Sequence, residues 1–237
     1  PELHYFSNEN TEKHEVWQQP LAYAYPYLIE LEHETMLGYA WNKAYRLAFL
    51  REQQLSFQTI VHIEDILFNL QVAGAMQAMI TIPDALYHYA NRGQSRLTGK
   101  YLPEYFALQK TRVQAFLDMQ TKKLDQVTDD VLQQKTKGLE DLDLGAWRMR
   151  LYEVMAGVYF RSFQSSMVRS IQHADARRET IARARAELES PLYGRLRRHL
   201  PEEGHVAKAL YAPLVRGDVE GAYRRAKEIA WAKEHLS

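Results

Sequence analysis

AMITIPDALYHYANR, residues 78–92, decides how the first hundred residues are read. Residues 78–83 read as a short strand stopped by Pro83. Residues 85–92 alternate tyrosines with other side chains and read as its partner strand. Working outward, ELHYF (2–6) adds another short strand, and LGYAWNKAYR (37–46) mixes aromatic and small residues in a strand-like way. Helices are expected between them. One covers Tyr23 to Glu34, with Pro26 in its first turn, where proline is tolerated. A second covers about 47–53, and a third runs from Glu64 to about Ala73. Residues 1–100 therefore predict a mixed α/β domain.

From Pro103 onward the pattern is helical. Val113, Leu117, Leu124, Val127 and Val131 recur at four- and three-residue steps, a heptad-like seam interrupted by Gln120. Gly138 is expected to end that helix. Trp147, Leu151, Val154 and Val158 begin a second stripe that continues through Phe163 and Ile171. Two long helices with a short connection predict an antiparallel hairpin. Shorter helices follow at about 175–189, 202–215 and 219–235. Between the last two, Gly217 ends one helix and Asp218 caps the next. The expectation is an α/β part, residues 1–100, followed by an all-α part, residues 101–237.

The bulk numbers narrow the function. The chain has 237 residues, 46% hydrophobic and 25% charged, with 30 basic and 30 acidic side chains. That balance supplies no field for nucleic acid. It hides a split: residues 1–100 carry 7 Lys/Arg against 11 Asp/Glu, and residues 101–237 carry 23 against 19. With no cysteine, disulfides and thiolate chemistry are excluded. No apolar run approaches the roughly 18 residues that span a bilayer.

Glu64 and Asp65 stand together at a helix start, in VHIEDILFNL (61–70). Acids favour that place because they face unpaired N–H groups and the positive end of the helix dipole. A carboxylate on a rigid strand-to-helix junction is also suited to take a proton from a hydroxyl held in a cleft. The flanks supply material for a cleft: WNKAYR (41–46) lies about twenty residues upstream and YHYANRGQS about twenty downstream.

WNKAYR, the ED pair with its apolar helix, and a tyrosine-rich segment ending in Arg with Ser beyond (Tyr87, Tyr89, Arg92, Ser95) follow one another in this order. Over about residues 37–98 the set resembles family 2 glycosyltransferases of bacterial polysaccharide synthesis. The resemblance implies a partial GT-A fold with a mixed sheet, and it matches the acceptor-side half. The nucleotide-sugar-binding half, with its Asp-x-Asp metal motif, is expected outside this chain, which begins at Pro1. Thr128-Asp129-Asp130 is no substitute, because it lies inside the heptad helix. The activity implied is inverting transfer of a sugar from a nucleotide-sugar to a hydroxyl of a saccharide or lipid-linked acceptor. The chain by itself is then expected to be inactive and not to bind a nucleotide-sugar tightly. By match to the ED motif, Asp65 is the base and Glu64 its supporting neighbour. Mg or Mn would neutralise the leaving diphosphate, held mainly by ligands outside these residues.

Other residues follow from the same resemblance. Trp41 is a candidate stacking platform for a sugar, or a core tryptophan. Asn42 and Lys43 bond the acceptor or hold the ED loop, and Lys43 is placed to pair with an acid. Arg92 is a candidate donor to the leaving phosphates, or a surface arginine. His88 is a donor-side cleft residue or an ordinary strand histidine. Ala90 stands where the family often has a second arginine, which weakens any phosphate clamp from this segment. Polysaccharide assembly places such enzymes in the cytoplasm at the inner membrane face; the basic tail segments 175–188 and 192–200, with acids interleaved, read first as ordinary solvated helix faces and otherwise as peripheral membrane contacts. The 104–135 seam permits a homodimer. The competing reading is a catalytically empty module that associates through its helices.

Overall fold

A computed structural model describes residues 3–4, 21–81, 87, 89–90, 101–133, 139, 141–200 and 205–235. These residues form an all-helical fold, and the expected mixed sheet is not among them. Residues 78–81 are irregular, residues 82–86 lie outside the described set, and LGYAWNKAYR is turn and loop. The single strand-like feature described is a two-residue antiparallel contact that sets Leu3 against Ala90 and His4 against Tyr89. The α/β expectation is overturned for a physical reason. β-Propensity is realised only when a segment finds ladder partners and a face to bury, and two residues a side fall far short of a stable sheet.

The helices are α1 (Ala24–His33), α2 (Leu47–Glu52), α3 (Glu64–Ala75), α4 (Tyr105–Leu132), α5 (Leu144–Gln172), α6 (Arg177–Leu188), α7 (Pro191–Leu196), α8 (His205–Arg216) and α9 (Val219–His235). They distribute into two compact units. One comprises Pro1–Lys100 and Asp118–Arg148, the other Tyr101–Leu117 and Met149–Ser237.

In the first unit, α1 stops where Thr35 turns left-handed at φ 60°, and the N–H groups of Met36 and Leu37 both return to Leu31 O, at 2.7 and 3.1 Å. α3 carries Glu64 and Asp65 in its first turn and buries Ile66, Leu67, Phe68, Asn69, Leu70 and Ala73. α3 packs close to the Asp118–Leu132 stretch of α4 at Gly74, where a Cβ would sit in ordinary contact with Met119 Cγ at 3.7 Å. Gln120, which interrupts the heptad seam, is fully buried. Its Nε2 donates to Tyr25 O at 2.8 Å and its Oε1 accepts from Trp147 Nε1 at 2.9 Å. The amide thus satisfies the indole of a buried tryptophan whose ring stacks on Tyr25, centroids 6.2 Å apart. Each such bond stabilises by about 1 kcal/mol, and losing the acceptor would strand a buried N–H at higher cost.

The second unit is organised around a buried carboxylate. Glu187 on α6 accepts from Lys110 Nζ (2.6 Å) on α4, Tyr159 OH (2.6 Å) on α5 and Ser190 Oγ (2.7 Å). Burial and the adjacent carboxylate push the Tyr159 phenol well above its usual range. The same Ser190 Oγ caps α7 by accepting from Tyr193 N at 3.1 Å, and Tyr193 OH reaches Leu214 O on α8 at 2.9 Å. At the turn into α9, Gly217 takes φ 77°, which glycine adopts without strain, and Asp218 Oδ1 accepts from Gly221 N at 2.8 Å. The stop and cap are those expected from the sequence.

Candidate functional site

The site is built on α3 of the first unit. Asp65 and Asn69 are four residues apart and so share one face of the helix. Asp65 Oδ1 accepts from Ile66 N at 2.8 Å. Asn69 is 2% exposed, yet its amide is fully engaged. Nδ2 donates to Leu37 O (2.9 Å) and Gly38 O (3.1 Å), and Oδ1 accepts from Tyr45 OH. Asn69 therefore clamps the start and the end of the 37–45 loop onto α3. The Tyr45 ring packs edge-on against Phe68, one residue away, with centroids 5.2 Å apart.

Within the loop, Lys43 is the organising cation. Its Nζ donates to Tyr39 O (2.7 Å), Met36 O (2.9 Å) and Asn42 Oδ1 (2.8 Å), which uses all three ammonium protons. Asn42 Nδ2 donates to the same Met36 O at 3.0 Å. Burial pulls the Lys43 ammonium down to about 8, against the opposing attraction of Asp65 and Glu32. Burial and the negative charge of Asp65 push the Tyr45 phenol up to about 12. Lys43 and Tyr45 thus both lie in the field of Asp65.

Trp41 stacks with Tyr39 (4.9 Å, 30° between planes) and with Tyr87 (4.9 Å, 26°). Tyr39 and Tyr87 are 38% and 48% exposed, so the three-ring stack has accessible aromatic surface. Glu64, next to Asp65, has its Oε2 buried with no hydrogen-bond partner among the described residues. Two residues before it, His62 holds φ 86°. Positive φ on a histidine stores about 1–3 kcal/mol of backbone strain, and such strain collects at functional sites.

The structure thus gathers the 41–46 loop and the start of α3 in one place. Arg92 and His88 lie outside the described residues. Two contributors went unnoticed in the sequence reading. Tyr45 lay within the WNKAYR motif without an assigned role. Asn69 was readable as a lone amide in the apolar run ILFNL, because a polar side chain on a buried helix face requires partners. Among the described residues no group of three or more His, Asp or Glu side chains is arranged to hold a metal ion. Comparison with known proteins returned no matching family model, curated protein or solved structure.

Proposed function

We propose that the chain is the acceptor-side part of an inverting glycosyltransferase, with Asp65 as the general base. The observation that carries this reading is the seating of the 37–45 loop on the Asp65–Asn69 face of α3, with Lys43 and Tyr45 both in the field of Asp65. The acceptor hydroxyl gives its proton to the Asp65 carboxylate. Its oxygen bonds to the anomeric carbon of the donor sugar as the bond to the nucleoside diphosphate breaks and that diphosphate leaves. One carboxylate suffices for this chemistry, whereas hydrolysis uses a pair.

The remaining residues have roles that fit their contacts. Asn42 and Lys43 position the loop, since their bonds are made within it. The Tyr39–Trp41–Tyr87 stack offers a flat apolar face for the C–H side of a sugar ring. By the same resemblance the substrates are a nucleotide-sugar and a saccharide or lipid-linked acceptor, and the work is polysaccharide assembly at the inner membrane face. No helix among the described residues is long and apolar enough to cross a membrane. The rival reading, association through the 104–135 seam, has less surface to use, because Val113, Leu117, Leu124 and Val127 are buried within the chain itself.

The test is Asp65→Asn in the gene product that carries these residues, assayed for sugar transfer. Removal of a general base lowers turnover by roughly 10²–10⁴-fold, with the helical circular dichroism unchanged. Near-normal turnover would remove Asp65 from the role.

A further inference from the structure

The second unit holds a cavity of about 70 Å³ between the start of α4, the C-terminal half of α5 and α6. Its lining divides by chemistry. Phe106, Phe163 and Met167 form an apolar wall, the two phenyl rings stacked with centroids 4.7 Å apart. The charged side chains of the lining are Arg169 and Arg183, and no carboxylate lines the cavity among the described residues.

Both guanidinium groups are held in place. That of Arg169 lies 4.5 Å over the Tyr105 ring. Arg183 donates through Nη2 to Asp175 Oδ2 (2.6 Å) and to Ser170 Oγ (3.1 Å). Those two bonds use one nitrogen, so the Nη1 and Nε donors of Arg183 make no hydrogen bond among the described residues. Asp175 is occupied in turn: it also accepts from Tyr101 OH at 2.6 Å, and the Tyr101 ring stacks on His173 at 3.7 Å. The Arg183 side chain is 55% exposed, so the polar edge is the solvent-facing mouth of the hollow, with Arg183 tethered through Nη2 and its other donors beside the apolar wall.

Size sets the occupant. A hollow of this volume is about five times the roughly 15 Å³ that admits one water, which suits an organic molecule of about six heavy atoms. We infer that the cavity binds a short-chain monocarboxylate, with its carboxylate on the guanidinium of Arg183 and its alkyl body against Phe163 and Met167. A planar guanidinium fork matches a carboxylate and strengthens the hydrogen bond by charge. An amine of the same length would meet guanidinium donors and no free acceptor, since Asp175 is already bonded to Arg183 and Tyr101, and an alcohol would lose the charge-assisted bond. This inference concerns the unit that does not carry Asp65, and neither result depends on the other.

The experiment is an NMR titration of the 237-residue chain with butyrate, acetate, butanol and butylamine. Butyrate produces saturable shifts at the Arg183 side chain and intermolecular NOEs from its methyl group to the Phe163 ring. Acetate and butanol bind at least tenfold more weakly, and butylamine does not bind. Arg183→Met weakens butyrate at least tenfold while leaving butanol binding unchanged. Should that variant lose its fold, the ligand series on the unaltered chain decides. A butyrate response that never saturates, or butanol, acetate or butylamine binding as tightly as butyrate, overturns the assignment.

Discussion

Replacing Asn69 by leucine tests the clamp on which the site rests. The two side chains are similar in volume, so the variant removes hydrogen bonds without opening a large cavity. Three bonds disappear: those to Leu37 O at 2.9 Å and Gly38 O at 3.1 Å, and that from Tyr45 OH. At about 1 kcal/mol each the loss is about 3 kcal/mol, and a stranded carbonyl beneath the loop raises it toward about 4 kcal/mol. Native-state hydrogen exchange is the appropriate assay, because it assigns the loss to a region. A loss of about 3 kcal/mol lowers protection in residues 36–45 and the first turns of α3 by roughly 10²-fold. Protection in α6 and α9, in the other unit, stays as it was. A local change under about 1 kcal/mol would show that these bonds exchange freely with water, and that the loop is held by something other than Asn69.

Two further outcomes follow from a buried amide and a half-buried ammonium. Gln164 on α5 is 3% exposed, and both ends of its amide lack a hydrogen-bond partner among the described residues. Gln164→Leu should therefore stabilise the protein by about 1–2 kcal/mol, a rise of roughly 2–8 °C in Tm; a lower Tm in calorimetry contradicts the assignment of an unmet amide. Lys43, held at about 8 in the folded state, titrates near 10.4 when unfolded, so between about pH 8 and pH 10 the unfolded chain binds a proton that the folded chain has released. Stability from this group therefore rises with pH across that window and is flat below it. Urea midpoints of Lys43→Met should lack that rise when set against the unaltered chain. Identical pH slopes would mean that Lys43 is solvated like any surface lysine.

Much of the helical part could be read from the chain because its signals are local. The Val113–Val127 stripe, the acids that open α3, and the Gly217–Asp218 stop and cap each act within a few residues. The misread elements were those that depend on distant partners. Residues 78–83 carry the composition of a strand, but a strand exists only through the ladder beside it: residues 78–81 are irregular, and among the described residues pairing is limited to the two-residue contact of 3–4 with 89–90. Gln120 looked like a break in a seam, whereas its amide joins Tyr25 and Trp147, residues far from it in sequence. The candidate site shows the same division. WNKAYR and the ED pair stood out as residue types suited to chemistry, but Asn69 and Tyr45, which hold the two together, did not.

By itself the sequence determined where most helices begin and end and which faces they bury, because periodicity, caps and turn residues act over one or two turns of chain. Only the tertiary structure decided that residues 37–46 form a loop pinned to α3 rather than a strand. That outcome turns on which backbone carbonyls the buried amide of Asn69 and the ammonium of Lys43 reach, and such pairings across the fold leave no periodic trace in the chain.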